Sequence, residues 1–363
     1  MALLSLLSLL LLPAFAQDPP APPPTPVEVQ PPQSLDEVWA SLPAQTLLDE
    51  AITRREQGDW AGAEARLDAL EKRGVGGATA AYQRALVDEL RERYPDALAR
   101  YQRIQQDFPQ APEATDARFR AALVSNDMGQ HAEALALVLT LRKAQDWEGK
   151  DALTLQLERG IAEVGLGKTR KGVRHIQGAL DALEGMDAAH WMQARARAAL
   201  MGVMLAEADA MALDNPRKQK KTLAARRALI TRADQQRSAI VALGEPEYAL
   251  DALNRIGDSA LRLYQDVNAA PSPPEVASDP ETERLYRAMV AQESERFRAV
   301  AFQYYDAGVM LAERLSWQGH INADLHQKRD SLQAEMTPST PATPTPPAVP
   351  EPPATPPPQP AGG

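Results

Sequence analysis

Between residues 44 and 186 apolar residues recur every three or four positions, in runs broken by short stretches that hold glycine, proline or polar residues. Leu153, Leu157, Ile161 and Val164 are one such run. Their spacing is the period of a helix and not the alternation of a strand. Further along, the same pattern predicts longer helices over roughly 188–213, 217–243, 246–268, 281–317 and 321–335. Asn215-Pro216, Gly244-Glu245-Pro246, the segment AAPSPPEVASDP and Gly319 separate them. The expected fold class is all-α.

The shorter helices repeat. GDWAGAEARLDAL (58–70), ERYPDALARYQRI (92–104), GQHAEALALVLTL (129–141) and GKTRKGVRHIQGA (167–179) align without gaps. A turn residue leads each one: Gly58, Glu92, Gly129 or Gly167. Five positions later stands a small residue, Ala63, Ala97, Ala134 or Gly172, and seven positions before the turn stands another, Ala51, Ala85, Ala122 or Gly160. Small residues on two helices joined by a tight turn let the helices cross closely, which makes a helical hairpin.

This pattern resembles the tetratricopeptide repeat (TPR) family, whose repeat carries small residues on both helices and a turn between them; Pro109 matches the proline that ends the second helix. In that register the units begin at Ala44, Ala78, Thr115 and Leu153. The resemblance implies a TPR-like helical-hairpin solenoid over 35–186, followed by degenerate repeats and longer helices over 187–336. EYALDALNRIGDSALRLY, with Gly257 at the small position, still looks like the first helix of a unit. The later part also resembles, more faintly, envelope repeat proteins linked to gliding-type motility. By family analogy the first helices line a concave wall, at Gln45, Leu48, Ile52 and Arg55, then Thr79, Tyr82, Leu86 and Glu89, then Asp116, Phe119, Leu123 and Asn126. Arg55, Tyr82, Glu89, Phe119 and Asn126 are the candidate partner-binding residues among them. Tyr82 and Phe119 are either binding anchors, since aromatics dominate hot spots, or fillers between repeats. The carboxylate-gripping subgroup of the family uses Lys and Asn where this chain has Leu48, Ile52, Tyr82 and Phe119, so that mode is not expected.

The ends are different. Residues 3–12 are nearly all leucine and lead to Ala14 and Ala16, the small residues a signal peptidase accepts, although no cation precedes them. The expectation is a signal peptide over 1–16 and an exported protein of the periplasm or cell envelope. Residues 17–34 and 337–363 hold eight and twelve prolines and little apolar mass, which predicts extended, disordered arms. No other segment nears the length of a membrane span.

Charge and chemistry narrow the function further. With 39 Lys and Arg against 49 Asp and Glu, the net charge is −10, so general nucleic-acid binding is not expected. The chain has no cysteine, hence no disulfide and no thiolate metal site. His131, His175, His190, His320 and His326 lack metal-ligand spacing, and no nucleophile elbow occurs. EVGLGKT (163–169) has the tail of a phosphate loop, but Ala162 stands where the motif needs glycine and a helix precedes it, so Gly167 is read as a hairpin turn. The segment 217–227 carries six cations and no acid. It is either a surface for an anionic partner or a solvated face opposite Leu223, Leu229 and Ile230. The cluster Lys168, Arg170, Lys171, Arg174 and His175 leaves the same choice. The reading is a non-enzymatic scaffold for protein partners, without cofactor or metal, in a bacterial envelope. The alternative is a peptidoglycan- or polymer-associated protein, or an assembly factor of a motility or secretion complex.

Overall fold

The computed structural model describes residues 35–186, 188–317 and 319–336. The leucine run, both proline-rich arms and the expectations attached to them lie outside these residues. Within them the chain is helical, and no strand occurs among the described residues.

After a short helix α1 (Leu35–Ser41), helices pair in sequence. α2 (Ala44–Glu56) packs on α3 (Trp60–Lys72), α4 (Gly77–Leu90) on α5 (Tyr94–Asp107), α6 (Pro112–Asp127) on α7 (His131–Ala144), and α8 (Gly149–Gly165) on α9 (Thr169–Leu183). The pairing continues past residue 187. α10 (His190–Asp209) packs on α11 (Gln219–Leu243), and α12 (Pro246–Ala269) on α14 (Pro280–Leu315), with α13 (Pro274–Ala277) in the loop between them. α15 (His320–Met336) lies against α12 and α14.

The hairpin turns follow from one backbone device. Gly58, Gly129 and Gly167 adopt φ of +77°, +72° and +75°, the left-handed conformation that ends a helix with least strain in glycine. In each, two N–H groups turn back onto the preceding helix: Gly58 N to Arg55 O and Asp59 N to Arg54 O, Gly129 N to Asn126 O and Gln130 N to Ser125 O, Gly167 N to Val164 O and Lys168 N to Glu163 O. Glu92 does the same at φ +59°, where a side chain costs about 1–2 kcal/mol.

The small residues sit where the helices cross. Ala51, Ala63, Ala85, Ala97, Ala122 and Ala134 are buried. The fourth hairpin crosses more closely still: a Cβ on Gly172 would lie 2.5 Å from Gly160 O, and one on Gly160 would lie 2.9 Å from Gly172 O. Gly257 serves a different neighbour, since the ring of Tyr305 on α14 lies where its Cβ would be.

Each core cluster joins a hairpin to the first helix of the next. Leu47, Leu67, Leu70 and Val87 unite α2, α3 and α4; Ala85, Tyr101, Ile104 and Val124 unite α4, α5 and α6; Leu157, Ile176 and Leu200 unite α8, α9 and α10. Leu250, Tyr305, Val309 and Leu325 close the series with α15. Apolar burial is thus distributed along the chain in nearest-neighbour steps, as in solenoids.

Candidate partner-binding wall

The first helices α2, α4, α6, α8, α10 and α12 are tied to one another by polar side chains at successive steps. Arg55 on α2 donates to the Gln83 amide oxygen on α4. Glu89 on α4 accepts from Arg120 on α6 and, at 2.7 Å, from the Tyr101 hydroxyl. Asn126 on α6 donates to the backbone oxygen and a carboxylate oxygen of Glu158 on α8, both at 2.9 Å. Arg195 on α10 grips the same carboxylate with Nε at 2.6 Å and Nη2 at 2.9 Å, and its Nη1 reaches Asp127 at 2.8 Å and the Tyr248 hydroxyl of α12 at 3.4 Å. From α12 the series continues into α15 through Asn254 to Asp324 and Lys328 to Asp258.

The centre of this ladder is desolvated. Glu158 is fully buried and the Arg195 side chain is 9% exposed. Burial opposes the Arg195 charge, but Asp127 and Glu158 beside it outweigh that cost and hold the guanidinium protonated. Burial raises the Tyr248 hydroxyl to about 12, against the pull of Arg195, so it stays neutral at physiological pH.

Some contacts join elements far apart in the sequence. Burial raises the hydroxyl of Tyr94, at the start of α5, and the carboxylates of Glu247 on α12 and Asp127 on α6 push it further. At the far end, Glu92 of the second hairpin's turn accepts from His320 N at 3.2 Å and lies 2.5 Å from His320 Nδ1, across 228 residues of sequence. Glu92 therefore ties the turn of the second hairpin to the start of α15.

The five candidate residues now have positions. Tyr82 and Phe119, on successive first helices, are half-buried; Tyr82 packs on Tyr101 with ring centroids 6.0 Å apart and Phe119 on Trp147 at 5.7 Å. Burial raises the Tyr82 hydroxyl, leaving it a neutral donor. Arg55 and Glu89 are half-buried members of the ladder, as their partners above show. Asn126 is 5% exposed, and its amide is committed to Glu158. Of the other wall positions, Gln45 and Asp116 are exposed, whereas Leu48 and Leu123 belong to the core. Gln83, Arg120, Glu158, Arg195 and Tyr248 escape a sequence reading. The only signal is a polar residue inside an apolar run, as at Glu158 between Leu157 and Ile161.

The two basic clusters resolve differently. Arg217 and Lys218, just before α11, and Lys220, Lys221 and Arg227 on it are exposed, but Arg226 is fully buried, so one of the six cations of 217–227 belongs neither to a charged surface nor to a solvated face. Arg226 is held by Asp266 of α12 at 2.6 Å and Asp209 of α10 at 3.5 Å. At the start of α9, the half-buried His175 and the exposed Lys171 pair with Glu163, at 2.7 and 2.9 Å, while Lys168, Arg170 and Arg174 are exposed without an ion-pair partner among the described residues. The N–H groups of Gly167 and Lys168, which a phosphate loop would direct at its ligand, are spent on the α8 carbonyls. Among the described residues no group of three or more His, Cys, Asp and Glu could hold a metal ion, and no helix is long and apolar enough to cross a membrane.

No protein-family model matches the chain, and no curated protein matches its sequence. Solved structures similar to it include a tetratricopeptide repeat protein from Parabacteroides merdae, 13% identical over 80% of this chain and 98% of that one, with a TM-score of 0.39. A TPR repeats protein from Bacteroides fragilis is 11% identical over 81% and 99%, with a TM-score of 0.30. The MamA RS-1 ArsTM double mutant is 15% identical over 53% and 97%, with a TM-score of 0.37. The chain's own geometry carries the assignment: paired helices crossing at small residues, left-handed turns and nearest-neighbour cores give residues 44–183 the tetratricopeptide fold.

Proposed function

We propose that the protein is a non-enzymatic scaffold of a bacterial cell envelope that holds a protein partner along the wall of first helices. The observation that carries this reading is the pair Tyr82 and Phe119. Each ring is fixed on one side by a second aromatic and keeps part of its surface open to solvent, on adjacent repeats. Rigid aromatic anchors of this kind bind at low entropic cost. Arg55, Glu89 and Asn126 flank them and support the wall by tying its helices together through Gln83, Arg120 and Glu158. Export is supported by the leucine run and by Ala14 and Ala16. Placing a photo-crosslinking residue at position 82 or 119 in cells should trap the same partner, identified by mass spectrometry. Position 139, an exposed leucine on the second helix α7, is the control. Equal labelling at all three positions, or none, refutes the reading.

A second reading, association with an anionic envelope polymer such as peptidoglycan or with a motility or secretion complex, is favoured by α11. The five exposed cations of residues 217–227, at and just before its start, have no acidic partner among the described residues. They stand beside a cleft of about 200 Å³ lined by Leu223, Tyr286, Val290 and Phe297. This reading requires that the protein co-sediment with sacculi and that salt release it.

A further inference from the structure

α14 spans 36 residues, about 54 Å of helix at 1.5 Å per residue. Its inner face is accounted for: Ala301, Tyr305, Val309 and Ala312 pack with α12 and α15. Its outer face is not. Leu285, Met289, Gln292, Arg296, Val300, Gln303, Ala307, Met310 and Arg314 follow one another at steps of three or four, and every one is exposed. The mean of the eight steps is roughly 3.6, the helix's own period, so the row stays on one face without drifting around it. Leu285, Met289 and Met310, at 56%, 57% and 56%, are the most exposed large hydrophobic residues among those described. No acid stands in the row, although the chain carries a net charge of −10.

The order of the row is self-complementary. Residues whose numbers sum to 599 match when a second identical helix is laid antiparallel: Met289 meets the partner's Met310, Arg296 meets the partner's Gln303, Gln292 meets the partner's Ala307, and Leu285 lies under the aliphatic stem of the partner's Arg314. Val300 falls at the two-fold axis. On the flank, Glu313, which has no ion-pair partner among the described residues, comes two positions off register from the partner's Arg284, whose guanidinium already pairs with Glu281 of its own chain at 2.6 Å.

We infer that this protein forms a two-fold homodimer through antiparallel packing of α14 on α14, with Val300 at the axis. An isologous contact of this kind uses the same patch twice and closes at two subunits. The dimer carries two copies of the wall of first helices, which on the reading proposed above gives it avidity for a repeated partner.

The absence of native cysteine makes the geometry testable on the full-length chain. Wild-type protein should elute at twice the chain mass by light scattering. Val300→Cys should cross-link to itself under mild oxidation. Met289→Cys should cross-link poorly with itself and efficiently with a differently tagged Met310→Cys chain. Leu139→Cys, on α7, should not cross-link. Met289→Glu with Met310→Glu should weaken dimerisation by about a hundredfold or more, because four carboxylates would be buried without partners. Both methionines are exposed in the single chain, so its circular dichroism and melting temperature measured on the monomer should not change. A wild-type monomer at high micromolar concentration overturns the inference. So does a dimer that survives both glutamates, or Met289→Cys self-linking as fast as the mixed pair.

Discussion

Arg195 shows why a buried charge in this chain is tolerated and why losing its partner is costly. Removing it by Arg195→Ala leaves Glu158, fully buried, with only the Asn126 amide to satisfy it. Uncompensated buried charges of this kind cost about 3–5 kcal/mol, whereas replacing both partners with apolar residues of similar volume is near neutral or stabilising. Chemical denaturation should therefore rank Arg195→Ala far below wild type and Arg195→Met/Glu158→Leu close to it. A double variant as unstable as the single one would show that the ladder contributes more than charge compensation. Neither Arg195 nor Arg226 is legible in the sequence, because a solvated arginine and a buried one have the same local spacing. The acids that bury Arg226 come from Asp209 and Asp266, on neighbouring helices.

At the scale of the element, the hairpin was the part most open to sequence reasoning, since its turn and crossing residues lie within about 20 positions of one another. Gly167, Lys168 and Thr169 illustrate this: the slot of Gly58 and Gly129 explains them, and the cap hydrogen bonds show where their N–H groups go. The crossing residues give a prediction with opposite signs on one helix. Gly172→Ala drives a Cβ to 2.5 Å from a backbone oxygen that cannot move away, and overpacking of this sort costs about 1–3 kcal/mol. Gly178→Ala, exposed on the same α9, meets only the flexible end of Gln156 and should gain roughly 0.5–1 kcal/mol in helix propensity. Thermal melts of the two variants should move in opposite directions. The turn at α8–α9 also sets a pH response. Burial of Glu163 would raise its carboxyl, but hydrogen bonds from Lys171, Arg159 and His175 outweigh this and hold it below 4.5. A depressed folded-state value means stabilisation that is complete above the unfolded value and lost as pH falls through the folded one. Glu163→Gln should accordingly flatten the acid side of the stability curve below about pH 4.5, and an unchanged acid limb would contradict this.

For the whole molecule, the fold and its order of packing follow from nearest-neighbour rules, yet the curl of the array does not. The contact of His320 with Glu92 joins positions 228 residues apart, and no pattern of spacing predicts it. The wall was legible only in part for the same reason. Family register places Arg55, Tyr82, Glu89, Phe119 and Asn126 on it, but which of them face a ladder partner and which keep a free surface depends on the neighbouring repeat. The reading of this wall as the partner-binding surface is tested most directly by calorimetric titration of a segment of the cross-linked partner into wild type and into Tyr82→Ala/Phe119→Ala. Truncating two aromatic anchors should weaken binding by at least about tenfold, near 1.4 kcal/mol, with the circular dichroism spectrum unchanged. Equal affinity in the two proteins would contradict the account.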